Sequence, residues 1–226
     1  MPRRSDSPAG SPAPPRAVTP DLPDDLDDLD DLEGLAARAD LIGVRVTALA
    51  GGVSAAHSRI AESRIDSPAV DRLDLTGSTF SDVVLAEARA AELIVRDATW
   101  RNVELTGGRI GTFDALRAAW DGVVLRGIRI DYLTLPSADL VDVLFADCTI
   151  GALDLPEATL TRVRFVDCRA DEVDTRGLRA ADLDLRGLEA LSYTDPRGLS
   201  GATLEARQAE VHAVSLAHAL GIRVAP

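Results

Sequence analysis

Apolar residues recur along this chain at every fifth position. From Ile60 to Phe165, through Leu75, Leu85, Leu105, Leu125 and Phe145, all 22 positions of one frame are apolar. Neither the 3.6-residue period of a helix nor the two-residue period of a strand produces that run. A second apolar position lies two residues earlier, as in Leu73, Val83, Leu93, Val103 and Phe113, so the inward steps alternate between two and three. A step of two is a short extended segment with both flanking side chains on one face. A step of three carries one residue too many to stay straight. The pattern predicts a corner every five residues.

The earlier inward position also cycles with period twenty. One column reads Ser78, Ala98, Ala118, Ala138, Ala158, all small, and the next reads Val83, Val103, Val123, Val143, Val163. Four sides of five residues therefore make one coil. The small column is followed two residues on by Phe80, Trp100, Trp120, Leu140 and Leu160, the bulkiest column of the main frame. Small beside large is how a layered core fills without voids. The expectation is an all-β solenoid with one continuous core.

The units Ala39-Asp40-Leu41-Ile42-Gly43 and Ala138-Asp139-Leu140-Val141-Asp142 fit the pattern A-(D/N)-L-x-x, and on them the chain resembles the pentapeptide-repeat protein family. The resemblance covers residues 39–203. It implies a right-handed quadrilateral β-helix and a non-enzymatic role as a protein-interaction scaffold. Some family members protect DNA gyrase or topoisomerase by imitating duplex DNA, and quinolone-resistance members dimerise through their C-terminal ends. The resemblance thus implies, as an alternative, a gyrase-directed DNA mimic and a homodimer formed at the C-terminal end. Departures from the unit include many Leu, Val and Phe residues at its Ala position, and frame slips between Ala56 and Ile60 and between Leu185 and Leu204.

Both ends differ from the middle. Residues 1–20 hold six prolines among Ser, Ala and Arg, a composition that predicts a disordered tail. Residues 21–38 are rich in Asp and Leu, and Leu22, Leu26, Leu29, Leu32 and Leu35 are spaced to line one side of a short helix. That helix would either cover the open N-terminal end of the solenoid or serve as an acidic partner-binding peptide. After residue 203 the five-period stops. Residues 204–226 predict a C-terminal capping helix from Leu204 to Leu220, with Thr203 as N-cap, Gly221 as the residue after the C-cap, and Ile222 and Val224 paired to the last coil. Capping the open coil and forming a dimer are the two roles open to it.

Composition narrows the chemistry. Only 4% of residues are aromatic, so the core must be built from aliphatic layers. All 24 basic residues are Arg and the net charge is −13. The first forty residues carry 10 acids against 4 Arg, so the body is only mildly acidic and direct nucleic-acid binding is not expected. With no Lys there is no phosphate-loop lysine, and GxSxG, HExxH and paired CxxC motifs do not occur. No enzyme, metal or cofactor is expected. The opening Met1-Pro-Arg-Arg precedes no signal-length apolar stretch and no membrane-length run follows, which with two cysteines predicts a cytoplasmic protein. Cys148 and Cys168, twenty apart, should stack in neighbouring coils as small core residues.

Outward positions form stripes. One side carries Asp74, Ile94, Asp114, Thr134, Asp154 and Asp174, another Arg89, Arg109, Arg129, Thr149 and Arg169. Like charges stacked ~4.8 Å apart repel by roughly 0.9 kcal/mol per pair even in water. Each stripe is either neutralised by opposite charges across a corner, such as Glu87, Asp131 and Asp171, or is a recognition surface. Ile130 to Thr161 holds six acids and no Arg, which adds Asp139 and Asp142 to Asp74, Asp114, Asp154 and Asp174 as a candidate acidic surface. A third side presents Val84, Glu104, Val124 and Leu144, a candidate apolar contact strip of Val84, Val124 and Leu144.

Overall fold

The structure, a computed structural model, describes residues 11–16, 18–29, 35–47 and 49–225. Strands in successive coils pair in parallel at an offset of twenty residues. On one side Phe80 pairs with Trp100, Trp100 with Trp120, Trp120 with Leu140 and Leu140 with Leu160. The other three sides carry the pairs Val83 with Val103, Ala88 with Gly108, and Leu93 with Phe113. The result is a four-sided parallel β-solenoid of about nine coils, from Asp27–Leu29 to Ala202–Thr203, followed by two short helices.

The corners explain why five residues suffice per side. At three of the four corners one residue per coil adopts positive φ, including Asp82 (55°), Glu87 (52°) and Asp97 (55°) with their equivalents one coil away. A left-handed residue turns the chain sharply at a cost of roughly 1–2 kcal/mol for ordinary side chains, least for Gly, Asn and Asp. Those types recur there, as in Gly77, Asn102, Gly122, Asp142 and Asp147. Gly108 is required for a second reason: a Cβ on it would stand 2.1 Å from the Ala88 carbonyl oxygen of the coil before.

Inside, the columns pack as layers. Ala98, Ala118, Ala138 and Ala158 are at most 1% exposed. Beside them Phe80, Trp100 and Trp120 stack nearly face to face, with centroids 5.3 and 5.4 Å apart and planes within 11°. Phe113 packs at a tilt against both tryptophans. Phe145 and Phe165 form a second stack at 4.6 Å. The indole N–H groups of Trp100 and Trp120 find no acceptor among the described residues. The burial of two large rings must outweigh that cost of roughly 1–3 kcal/mol per group.

The structure departs from the sequence expectations at both ends. The N-terminal register shift lies between Gly51 and Gly52, where the offset changes from nineteen to twenty, earlier than the frame placed it. Gly51 leaves the inward slot empty, and the adjacent Ala55 and Ala56 let either frame continue. Ala55 is the one that is fully buried. The C-terminal slip falls at the 3-10 turn Pro196–Leu199, after which Leu183 pairs with Ala202 at an offset of nineteen. The Asp/Leu-rich segment forms a strand, not a helix: Asp27–Leu29 pairs with Val44–Val46 and begins the first coil. Leu35 is buried, Leu22, Leu26 and Leu29 are half-buried, and Leu32 lies outside the described residues.

The single C-terminal helix is replaced by two, α1 (Ala206–Val211) and α2 (Ala213–Ala219), which meet at His212. Thr203 is the end of the last strand, and the cap is instead Glu205, in a reciprocal capping box with Gln208. Among the described residues Ile222 and Val224 join no strand of the last coil: the Ile222 amide donates to the Ala217 carbonyl instead, and the two side chains are 54% and 46% exposed. Of the proline-rich stretch expected to stay disordered, residues 11–16 and 18–20 lie against the solenoid, hydrogen-bonded through Ala13 and Arg16. Residues 1–10 and 17 lie outside the described residues.

Candidate interaction surfaces

With no ligand pocket implied by the sequence, the chemistry of this molecule lies on its outer ladders. Asp74, Ile94, Asp114, Thr134, Asp154 and Asp174 stand opposite one another in successive coils. Most of these carboxylates are engaged locally. Asp74 accepts from the amide and hydroxyl of Thr76 at 3.0 and 2.6 Å. Asp114 accepts from the Leu116 amide and from Arg96 Nε at 2.7 Å, and Asp174 from the Arg176 amide and Nε. The same two-residue turn recurs at Asp184 and Asp195. It is a structural use of aspartate that the alternation of polar and apolar residues does not reveal.

These partners set the acidity. The Arg176 hydrogen bond holds Asp174 below the usual carboxylate range. Burial pushes Asp74 upward, but the bonds from Thr76 and the charge of Arg72 together outweigh it and lower the net value. Asp154 is the exception: burial, then the negative charges of Asp174 and Glu172, push it up. It forms no ion pair among the described residues.

Asp139 and Asp142 are not part of this stripe. Asp139 is exposed on the side where it faces Ala119 and Thr159, and Asp142 sits at the corner just beyond. Asp142 is clamped by Arg162, Nε to Oδ1 at 2.6 Å and Nη2 to Oδ2 at 2.7 Å, and this bidentate bond holds its carboxyl below the usual carboxylate range. The six acidic residues thus occupy two separate surfaces. In the Arg stripe, Asp131 lies between Arg109 at 2.9 Å and Arg129 at 3.5 Å, so cross-corner pairing neutralises that part. Val84, Val124 and Leu144 do fall in one column with Glu104. Their side chains are shielded, however, with Val84 at 8% and Val124 at 7% exposure and Leu144 half-buried.

The C-terminal end looks different. His212 packs edge-on against Tyr193, and burial pushes the Tyr193 hydroxyl up to about 12. Gln208 donates to the Leu185 and Leu188 carbonyls, and Arg197 to the Ala219 carbonyl. Around these anchors Leu191, Val211, Val214 and Leu220 are all more than half exposed. The two thiols are free and stacked, Cys148 donating to the Ala146 carbonyl and Cys168 to that of Val166. Among the described residues no cluster of three or more His, Cys, Asp or Glu side chains could hold a metal, and no helix is long and apolar enough to cross a membrane.

Fold and ladders together define the chain as a four-sided parallel β-solenoid with twenty residues per coil and separate charged sides. No protein-family model matches the sequence, and none of the curated proteins matches it. Among solved structures it is similar to trypsin-treated QnrB1, a plasmid-mediated fluoroquinolone resistance protein, with 13% identity and a TM-score of 0.28 over 88% of this chain and 95% of the other.

Proposed function

We propose that this protein is a non-enzymatic, cytoplasmic protein-interaction scaffold of the pentapeptide-repeat type. The observation that carries this reading is the constant twenty-residue register from Arg59 to Tyr193. It stacks side chains into fixed ladders on a backbone with little freedom to remodel, so each side is a preorganised surface. Specificity then comes from which carboxylates remain free: Asp139 and Asp154 are unpaired among the described ion pairs, whereas Asp142 and Asp174 are held by Arg. The reading is tested by affinity capture with the wild-type chain and with an Asp139→Asn, Asp154→Asn variant. Identical captured proteins would remove these acids from recognition.

A second reading, a mimic of duplex DNA that binds gyrase or a topoisomerase, is favoured by the Arg-free stretch Ile130 to Thr161. Charge density argues for restraint. Residues 71–190 carry a net −8 over roughly 29 Å, or one charge per ~3.6 Å, against one per about 1.7 Å in DNA. Gyrase supercoiling with and without a quinolone decides it: unchanged activity at saturating protein excludes the mimic. The exposed apolar residues of the C-terminal end support a homodimer there, and sedimentation of the full chain measures it.

A further inference from the structure

The N-terminal segment is anchored to one corner of the solenoid by three backbone amides. Ala13 N–H donates to Asp182 Oδ1 at 3.0 Å, Arg16 N–H to Asp142 Oδ1 at 2.9 Å, and Asp21 N–H to Asp82 Oδ1 at 3.2 Å. The acceptors belong to a single column, Asp82, Asn102, Gly122, Asp142, Arg162 and Asp182, each at positive φ. The segment therefore runs along the solenoid axis, opposite to the direction in which the coils follow one another, and spans six of them.

Its length matches that path only if the chain is extended rather than helical. Asp182 to Asp142 is two coils, about 9.6 Å, and Asp142 to Asp82 is three, about 14.4 Å. A polyproline II chain rises ~3.1 Å per residue, so the three steps from Ala13 to Arg16 span ~9.3 Å and the five from Arg16 to Asp21 span ~15.5 Å. An α-helix would cover only ~4.5 and ~7.5 Å. Prolines at 12, 14, 15 and 20 hold the chain extended before binding, and the donors are residues that retain an N–H. Pro12, Pro15, Pro20 and Leu22 are half-buried. The positive charge of Arg16 acts on Asp142. The shielded residues Val84, Val124 and Leu144 lie two positions further along the same coils.

We propose that this corner column is a docking site for extended, proline-rich peptide segments of other proteins, and that residues 11–16 and 18–22 are its resident occupant, so a partner peptide binds by displacing the strap. Amides three residues apart meet carboxylates two coils apart, a match set by backbone pitch and open to any chain of this conformation. The inference rests on the scaffold reading and names the chemistry of its partner. Its test needs neither gyrase nor a known partner, so the two fail separately.

A fluorescent peptide of residues 11–22 is titrated into the full-length protein and into a full-length Pro12→Gly, Pro15→Gly variant whose strap is loosened. A tethered segment competes at millimolar effective concentration. The loosened variant should bind the peptide at least about tenfold more tightly than the parent, because its own strap competes less. Adding Asp82→Gly and Asp182→Gly should return binding to the parental level. Gly122 already occupies this column at φ 69°, so glycine keeps the corner geometry and the fold. Equal binding by parent and loosened variant, or binding indifferent to the glycine pair, overturns the proposal. So does an oligo-arginine peptide of equal length binding as well as the proline-rich one, since charge alone would then account for docking.

Discussion

The middle coils and the C-terminal end are built from similar residues and reach opposite outcomes. Between Phe80 and Phe165 the inward aliphatic and aromatic side chains are buried, apart from the half-buried Ala90, each stacked on its equivalent in the coil above and below. Beyond Thr203, Val211, Leu220 and Ile222 are more than half exposed, and no residue within α1 or α2 is buried. Apolar composition alone does not create a core here. Repetition does, because each coil presents the next with a surface of its own shape, whereas the end has no equivalent to stack on and is held by a few hydrogen bonds from Gln208 and Arg197.

Substitutions separate the two regimes. Trp120→Ala should have the largest effect, about 3–5 kcal/mol of stability, because it removes the ring that stacks on Trp100 and touches Phe113; chemical denaturation measures it. Ala118→Leu should cost about 1–3 kcal/mol by overpacking beside Trp120, seen as a lower melting temperature. A parental melt would mean that the small column is not interior.

Two aspartates sharpen the comparison within the coils, because their environments act with opposite sign. Asp142 has a depressed folded pKa, so the stability it adds is present above the unfolded value of about 3.9 and lost as pH falls through the folded one. Asp142→Asn should lower the melting temperature at pH 7, with the gap to the parent closing in acid. Asp154 has a raised folded pKa, so its charge opposes folding above that value. Asp154→Asn should slightly raise the melt at pH 7 and change nothing near pH 3. Smallest of all, Leu220→Ser with Ile222→Ser should shift monomer stability by no more than about 0.5 kcal/mol, while abolishing any concentration-dependent association seen by sedimentation.

The coils were readable from sequence because inward positions answer to volume, and volume repeats: Ala118 and Trp120 identify a side before any coordinate is known. The ends were not. Ala55 and Ala56 both tolerate burial, so they hid the register shift at Gly51. The apolar spacing from Leu22 to Leu35 suits a helix, yet the edge of the first coil offers unpaired backbone groups that only a strand such as Asp27–Leu29 satisfies. His212 breaks the C-terminal helix because it packs on Tyr193, nineteen residues away, a contact with no local signature. The strap was the least visible feature, since its anchors are backbone amides, which every residue but proline carries. The period of twenty puts Asp74, Asp114, Asp154 and Asp174 in one column and leaves Asp139 and Asp142 outside it, but the coupling of that column to Thr76, Arg96 and Arg176 depends on turn geometry, which charge alone does not encode.

The strap also gives the rod a mechanical asymmetry. Hydrogen bonds between coils point along the long axis, so tension on the two ends loads the ladders in series and the outermost coil peels first. A segment fastened at Asp82 and again at Asp182 lies parallel to that load and bridges six coils like a tendon. Stretching the corner it spans must shear its three anchors together, while the opposite side carries no such brace among the described residues, so the rod should bend toward the strap, opening the unbraced side, more readily than away from it.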